Sequence, residues 1–70
     1  RESEKIFRRA QAVVGERVEE LIGLGECSGV DSAMARIKAE APLLFRAYRG
    51  ESAQDSAPGR FVLRTYGAGE

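Results

Sequence analysis

The apolar residues of the first third of the chain recur every three or four positions. Such spacing places apolar side chains on one face of an α-helix. Ser3 is a candidate N-cap, and glycine favours helix C-termini, so we expect Gly23 and Gly25 to end the element. The pattern predicts a helix over about residues 4–23. Its apolar face is expected to consist of Phe7, Ala10, Val14, Val18, Leu21 and Ile22, widened by Ile6, Val13 and Leu24.

A second helical pattern follows a glycine-rich loop. Ser28 and Asp31 have the spacing of a capping box, with aspartate in the position usually taken by glutamate. We therefore expect the second helix to begin after Ser28 and to span residues 29–40. Its apolar face would consist of Val30, Ala33, Met34, Ile37 and Ala41.

Pro42 separates this helix from the apolar run LLFRAYR. Proline is tolerated in the first turn of a helix, disrupts a helix interior and restricts the residue before it to non-helical geometry. Pro42 is therefore expected to open a short third helix over residues 42–49, which Gly50 ends. The alternative is a single helix that is kinked at Pro42.

The last part of the chain loses the helical periodicity. Residues 51–59, ESAQDSAPG, are small and polar, which is typical of a flexible linker. In residues 60–70 a weak alternation through Phe61, Leu63 and Thr65 favours a short strand, and the tail would either pair with a partner outside this chain or be disordered. The sequence predicts a mainly α fold: a small bundle of two to three short helices, a flexible linker and an extended C-terminal tail.

The composition limits the chemistry that these elements could carry. The 70 residues include one cysteine and no histidine, which excludes an internal disulfide, the usual zinc-ligand sets and any Ser-His or Cys-His pair. Cys27 has no basic neighbour in the sequence that would activate its thiol. Ser28 is better explained as a cap than as a nucleophile. We therefore expect no enzymatic activity from these residues, with no catalytic residue, no metal ligand and no cofactor.

The chain contains no targeting signal that we can identify. No apolar run approaches the roughly 20 residues of a membrane span, and no signal-peptide pattern is present. These features favour a cytoplasmic location, or one in a virion, and no contact with a membrane. Because the chain begins with Arg1 rather than methionine, we expect it to be an excerpt or a processed product of a longer protein.

Charge is balanced overall, with 11 basic and 11 acidic residues, but it is polarised along the predicted first helix. Basic residues lie at its start and acidic residues at its end, the reverse of what the helix macrodipole favours. A solvated charged face is the simpler interpretation, but this order would also let two such helices pair antiparallel. The basic set is Lys5, Arg8 and Arg9, and the acidic set is Glu16, Glu19 and Glu20.

Arginine and aromatic residues interleave in the second half of the chain. Proteins that bind single-stranded nucleic acids use this combination, with arginine on phosphates and rings stacked on bases. The zero net charge argues against it, because nucleic-acid-binding domains more often have a basic excess. A small nucleic-acid-binding or regulatory module therefore stays as the alternative function. Its candidate residues are Arg36, Arg46, Arg49, Arg60 and Arg64, beside Phe45, Tyr48, Phe61 and Tyr66.

Residues 28–50, SGVDSAMARIKAEAPLLFRAYRG, resemble a helical motif of tailed-phage capsid-assembly proteases and scaffold proteins of the Mu I protein type. Ala41, before the proline, departs from the motif. The resemblance implies a role in phage head assembly, with protease residues elsewhere in a longer parent chain and none that map onto this sequence. The matching residues are Ser28, Ala33, Ile37, Glu40, Pro42, Leu44 and Tyr48.

These features together predict a non-catalytic protein-interaction or assembly module. We expect it to bind a protein partner or a second copy of itself, and contact with nucleic acid is the less favoured alternative. Two amphipathic helices, a short proline-initiated helix and an unpartnered tail all favour docking. The residues expected at the interface are Phe7, Val14, Leu21, Leu44, Phe45, Tyr48 and Phe61.

Overall fold

A long first helix organises the fold, and the computed structural model describes residues 1–68. The elements are α1 (Glu2–Gly23), α2 (Val30–Glu40), α3 (Pro42–Tyr48) and α4 (Ala57–Tyr66). Residues 1–68 contain no strand, so the mainly α prediction is confirmed. The 22 residues of α1 rise about 1.5 Å each, which accounts for most of the 35 Å long dimension of the molecule. α1 packs against all three other helices, and α3 also contacts α2 and α4.

The core lies between one face of α1 and the three shorter helices. The prediction of this face is correct at most inner positions, but Ile6 is fully buried where Phe7 was expected, and Phe7 is only half-buried. Ile22 and Leu24, expected on the apolar face of α1, are exposed. The buried apolar residues are Ile6, Ala10, Val14, Leu21, Cys27, Ala33, Ile37, Leu44, Ala47 and Val62.

Two glycines end helices as expected. Gly25 follows α1 with φ 77° and Gly50 follows α3 with φ 112°, a region that side-chain-bearing residues rarely occupy. In both turns the amide of the next residue donates to the carbonyl five residues earlier at 3.0 Å. This is the Schellman arrangement, which satisfies helix carbonyls that would otherwise lack a donor. Gly23 is itself the last residue of α1.

Both predicted N-caps are wrong. Ser3 lies inside the first turn of α1, whose N-cap is Arg1. Gly29 is the N-cap of α2 and has no side chain to bond, so Ser28 and Asp31 do not form a capping box. The negative charge of Asp31 is still favourable in the first turn of α2, near the positive end of the helix macrodipole.

Pro42 is a boundary between two helices. The residue before it, Ala41, has φ −137° and ψ 70°, outside the helical region. The amide of Ala41 nevertheless donates to Ile37 at 2.8 Å, and its carbonyl accepts from Phe45 at 3.0 Å. Hydrogen bonding is therefore maintained on both sides of the junction. The prediction that Pro42 opens a third helix is confirmed, and the kinked-helix alternative is wrong.

The predicted extended tail is wrong, because Ala57–Tyr66 forms helix α4. The hydroxyl of Ser56 accepts the amide of Gly59 at 2.9 Å and so caps the helix, and Pro58 lies in its first turn. Val62 is fully buried in the core, which anchors the helix. Burial on a helical face therefore outweighs the weak alternation that favoured a strand. Residues 69 and 70 of the predicted tail lie outside the described residues.

The segment predicted as a flexible linker is packed against its neighbours. A Cβ atom on Gly59 would lie 1.8 Å from the carbonyl oxygen of Ala53, so this segment passes directly against the α4 backbone. Ser52 is 4% exposed, and its hydroxyl donates to the carbonyl of Ser3 on α1 at 3.4 Å. The linker prediction is wrong because small residues here allow close approach of backbones. The segment is therefore not a flexible linker.

Candidate protein-interaction surface

An apolar groove runs between α1 and α2, with a contribution from α3. Its volume is about 460 Å³, and buried Val14 forms its floor. Among residues 1–68, its charged and amide side chains are Glu19 and Gln11. We call this feature the α1–α2 groove, and its other lining residues are Gly15, Val18, Ile22, Val30, Met34 and Tyr48.

Large exposed apolar side chains within residues 1–68 cluster around the α1–α2 connection. Ile22 is 37% exposed, Leu24 63% and Val30 58%. Ile22 and Val30 belong to opposite walls of the groove. Grouped apolar exposure of this kind marks binding surfaces more often than scattered exposure does. Ile22 and Val30 were predicted on the apolar faces of their helices, because periodicity identifies such a face but not which edge of it stays uncovered.

The structure separates the residues predicted to bind a partner. Val14, Leu21 and Leu44 are at most 3% exposed and belong to the core, so they offer a partner almost no surface, although Val14 lies at the floor of the groove. Phe7 is half-buried and does not line the groove. Tyr48 is half-buried and is the predicted interface residue that lines the groove above its floor.

Two further predicted interface residues take part in aromatic pairs within the fold. The ring centroid of Phe45 lies 5.9 Å from that of Tyr48. The ring of Phe61 meets Tyr66 edge to face at 6.1 Å. Such pairs contribute about 0.5–1.5 kcal/mol beyond the burial of their surface. Each pair lies within one helix, so it stabilises that helix only. Phe45 and Phe61 hold α3 and α4 on the core through their separate packing against the buried cluster.

A second cleft, of about 480 Å³, is basic. Lys38, Arg46 and Arg49 line it together with Phe45. Arg46 is bound to Glu51, with Nη2 and Nε at 2.6 and 3.0 Å from one carboxylate oxygen. This hydrogen bond is the main reason why the pKa of Glu51 lies below its ordinary value, with smaller contributions from the charges of Arg46 and Arg49.

The other arginines proposed for nucleic-acid binding do not join this cleft. Arg36 lies 3.2 Å from Glu26 and 3.5 Å from Glu40, so its charge is already paired. The guanidinium of Arg60 donates to a backbone carbonyl of the loop before α4. Arg64 is exposed on α4. Of the predicted set, the structure brings together Arg46 and Arg49.

The solvent face of α1 has a regular stripe that borders the groove. Arg8, Ala12, Gly15 and Glu19 follow one another at spacings of four, three and four residues and are all exposed. We call them the α1 outer stripe. Neither Arg8 nor Glu19 forms an ion pair with another side chain of residues 1–68. A Cβ atom on Gly15 would meet nothing within 4 Å, so no contact in the folded chain requires a glycine there.

Comparison with models of protein families, with curated proteins and with solved structures finds no match to this chain. The groove, the basic cleft and the α1 outer stripe are therefore the features from which function is inferred.

The single cysteine and the acidic side chains do not form a metal site in the described part of the chain. Cys27 is 9% exposed and packs in the core. No group of three or more potential metal-ligating side chains occurs within residues 1–68. None of the helices in that range is both long enough and apolar enough to cross a membrane.

Proposed function

We propose that the chain is a non-catalytic interaction module that binds an apolar protein segment in the α1–α2 groove. The observation that supports the proposal is the exposure of Ile22 and Val30 on facing walls of one groove whose floor is Val14. Docking of a helix by its apolar face into a groove of this type is a common mode of protein recognition.

The magnitude of apolar burial limits the strength of such binding. Complete burial of an exposed side chain of this size contributes about 1.5–3 kcal/mol. Ile22 and Val30 are 37% and 58% exposed, so each would contribute less than that. Contacts beyond the groove, such as charged pairs at its border, are therefore needed for a specific complex.

The setting that we propose is assembly of a phage head. It rests on the resemblance of residues 28–50 to the tailed-phage motif. In the fold this stretch forms α2 and α3 and supplies Val30, Met34 and Tyr48 to the groove. The residues that carry or adjoin the resemblance therefore contribute to the surface proposed to bind a partner.

Site-specific photocrosslinking in the cells that produce the protein tests the groove. The natural full-length chain would carry p-benzoylphenylalanine in place of Val30, and a matched variant would carry it at Ala35, which is also exposed on α2. We expect one adduct of discrete mass from position 30 and none from position 35. Ile22→Gln should abolish the adduct. Absence of any adduct at position 30, or equal adducts at both positions, would overturn the proposal.

Binding of single-stranded nucleic acid is the second candidate, and the basic cleft favours it. Lys38 and Arg49 lie beside the ring of Phe45, which combines charge with a stacking surface. Fluorescence anisotropy with a labelled oligonucleotide at low salt tests this function. Binding that falls steeply with salt and is weakened by Arg49→Gln would support it, because phosphate contacts release counterions. No binding at low salt would eliminate it.

A further inference from the structure

We infer that the protein partner of α1 is a second copy of this chain, docked antiparallel along the α1 outer stripe. The inference rests on the proposed interaction function and extends it to the face of α1 that borders the groove. In such a dimer the two copies are related by a twofold axis, so each contact between unlike residues occurs twice.

Charge complementarity argues for this occupant. A twofold axis midway between Ala12 and Gly15 places Arg8 of each copy opposite Glu19 of the other, because Arg8 precedes Ala12 and Glu19 follows Gly15 by the same four residues. Two reciprocal ion pairs then form between side chains that have no ionic partner within residues 1–68. A parallel pairing would instead place like charges opposite each other, so the charges favour the antiparallel arrangement.

The residues at the crossing allow the two helices to approach closely. In this register Ala12 of one copy faces Gly15 of the other, and neither has a side chain beyond Cβ. Glycine in the interior of an exposed helix is destabilising relative to alanine. Since a Cβ on Gly15 would meet nothing within 4 Å, packing inside one chain does not account for this glycine. Contact with the backbone of a second helix accounts for it.

The same register covers part of the apolar groove. Lys5 lies seven residues before Ala12, and Ile22 lies seven residues after Gly15. The aliphatic stem of Lys5 from one copy therefore packs on the exposed Ile22 of the other, while its ammonium group stays in water near Glu19. The apolar and the charged contacts are thus made by one arrangement.

Sedimentation equilibrium of the purified chain over a range of concentrations tests the inference. We expect a monomer–dimer equilibrium that weakens as salt is added, because exposed ion pairs are screened. Arg8→Glu and Glu19→Arg should each weaken the dimer about tenfold, since each replaces two attractive contacts with two repulsive ones. The double variant should recover self-association, and the two single variants mixed together should form a heterodimer.

Two further variants separate association from folding. Gly15→Leu should block the crossing while α1 stays helical by circular dichroism, because leucine is a better helix former than glycine. Arg64→Glu, an exposed charge reversal on α4, should leave the dimer unchanged. A loss of helicity in Arg8→Glu is distinguished from weakened association by its melting curve at dilute concentration.

The outcomes distinguish this inference from the proposed function. A chain that stays monomeric at every concentration overturns the inference, and so does a dimer that is insensitive to both charge reversals. If the crosslink at position 30 then has a mass other than that of a dimer, the groove function stands with a different partner. If neither a dimer nor a crosslink forms, the inference and the proposed function are both wrong.

Discussion

The guanidinium group of Arg9 on α1 donates two hydrogen bonds, at 3.3 and 3.2 Å, to the carbonyl oxygen of Tyr66, the last residue of α4. The last carbonyls of a helix have no donor within it, and a cation is favourable there because of the macrodipole. Arg9 lies near the start of α1, where the macrodipole of α1 disfavours a positive charge. Its contact with the C-terminal end of α4 explains why a basic residue is found there. The same contact joins positions 57 residues apart in the chain.

Replacement of Arg9 tests how much this contact contributes. Arg9→Met keeps most of the aliphatic stem but removes both hydrogen bonds, and we expect it to lower the free energy of unfolding by about 1–3 kcal/mol. Urea denaturation measures the change. Lys38→Met, at an exposed position of α2, is the control and should change stability little. An equal loss in both variants would mean that the bonds to Tyr66 contribute nothing specific.

Two glycines should respond in opposite ways to alanine. Gly59→Ala would force a Cβ to within 1.8 Å of the Ala53 carbonyl oxygen, a backbone atom, so we expect a loss of about 3 kcal/mol or more. Gly15→Ala meets open space and should stabilise the monomer by about 0.5–1 kcal/mol. Thermal melts at dilute concentration measure both. A mild effect at Gly59 would contradict the close packing of the segment before α4.

Core and half-buried positions on α1 should differ in sensitivity. Leu21 is fully buried, and Leu21→Ala should destabilise by about 2–5 kcal/mol. Phe7 is half-buried and lies outside the core cluster, so Phe7→Ala should have a clearly smaller effect despite the larger side chain. Circular dichroism during chemical denaturation compares the two. If Phe7→Ala were the more damaging change, the assignment of Ile6 to the core position would be wrong.

The carboxyl group of Glu51 should titrate below the ordinary range for glutamate. The hydrogen bond from Arg46 is the main cause, so Arg46→Gln should raise the pKa of Glu51 toward its ordinary value. NMR titration of the side-chain carboxyl carbon measures both. Because the folded-state pKa is below the unfolded one, the stabilising contribution is present above the unfolded pKa and is lost as pH falls through the folded pKa. A titration unaffected by Arg46→Gln would contradict the pairing.

Much of the fold follows from local signals in the sequence. The period of α1 and the geometry imposed by Pro42 act through neighbouring residues, so both could be predicted. α4 was missed although Ser56 and Pro58 have the positions of an N-cap and a first-turn proline. The alternation near Val62 was a weaker signal than the cap. An N-cap residue and a first-turn proline in a polar segment are therefore stronger evidence than a short alternation of apolar and polar residues after them.

The candidate surface was less predictable, because it depends on where neighbouring helices end. Ile22 and Val30 continue the apolar faces of α1 and α2, and periodicity alone does not indicate that they are exposed. They are exposed because no other helix within residues 1–68 covers that end of the pair. The polarised charge of α1 was visible in the sequence, but the structure is needed to show that Arg8 and Glu19 have no ionic partner within residues 1–68.

The position of α1 as the shared neighbour of all other helices has a consequence for the order of folding. α2 and α3 contact each other and α1 over shorter sequence separations than α4, which reaches α1 across 57 residues. Within the described range the backbone of α4 does not come close to that of α2. Loop-closure entropy rises with separation, so α4 should dock last. In native-state hydrogen exchange, the amides of α4 should then open more readily than those of α1, as a separate cooperative unit.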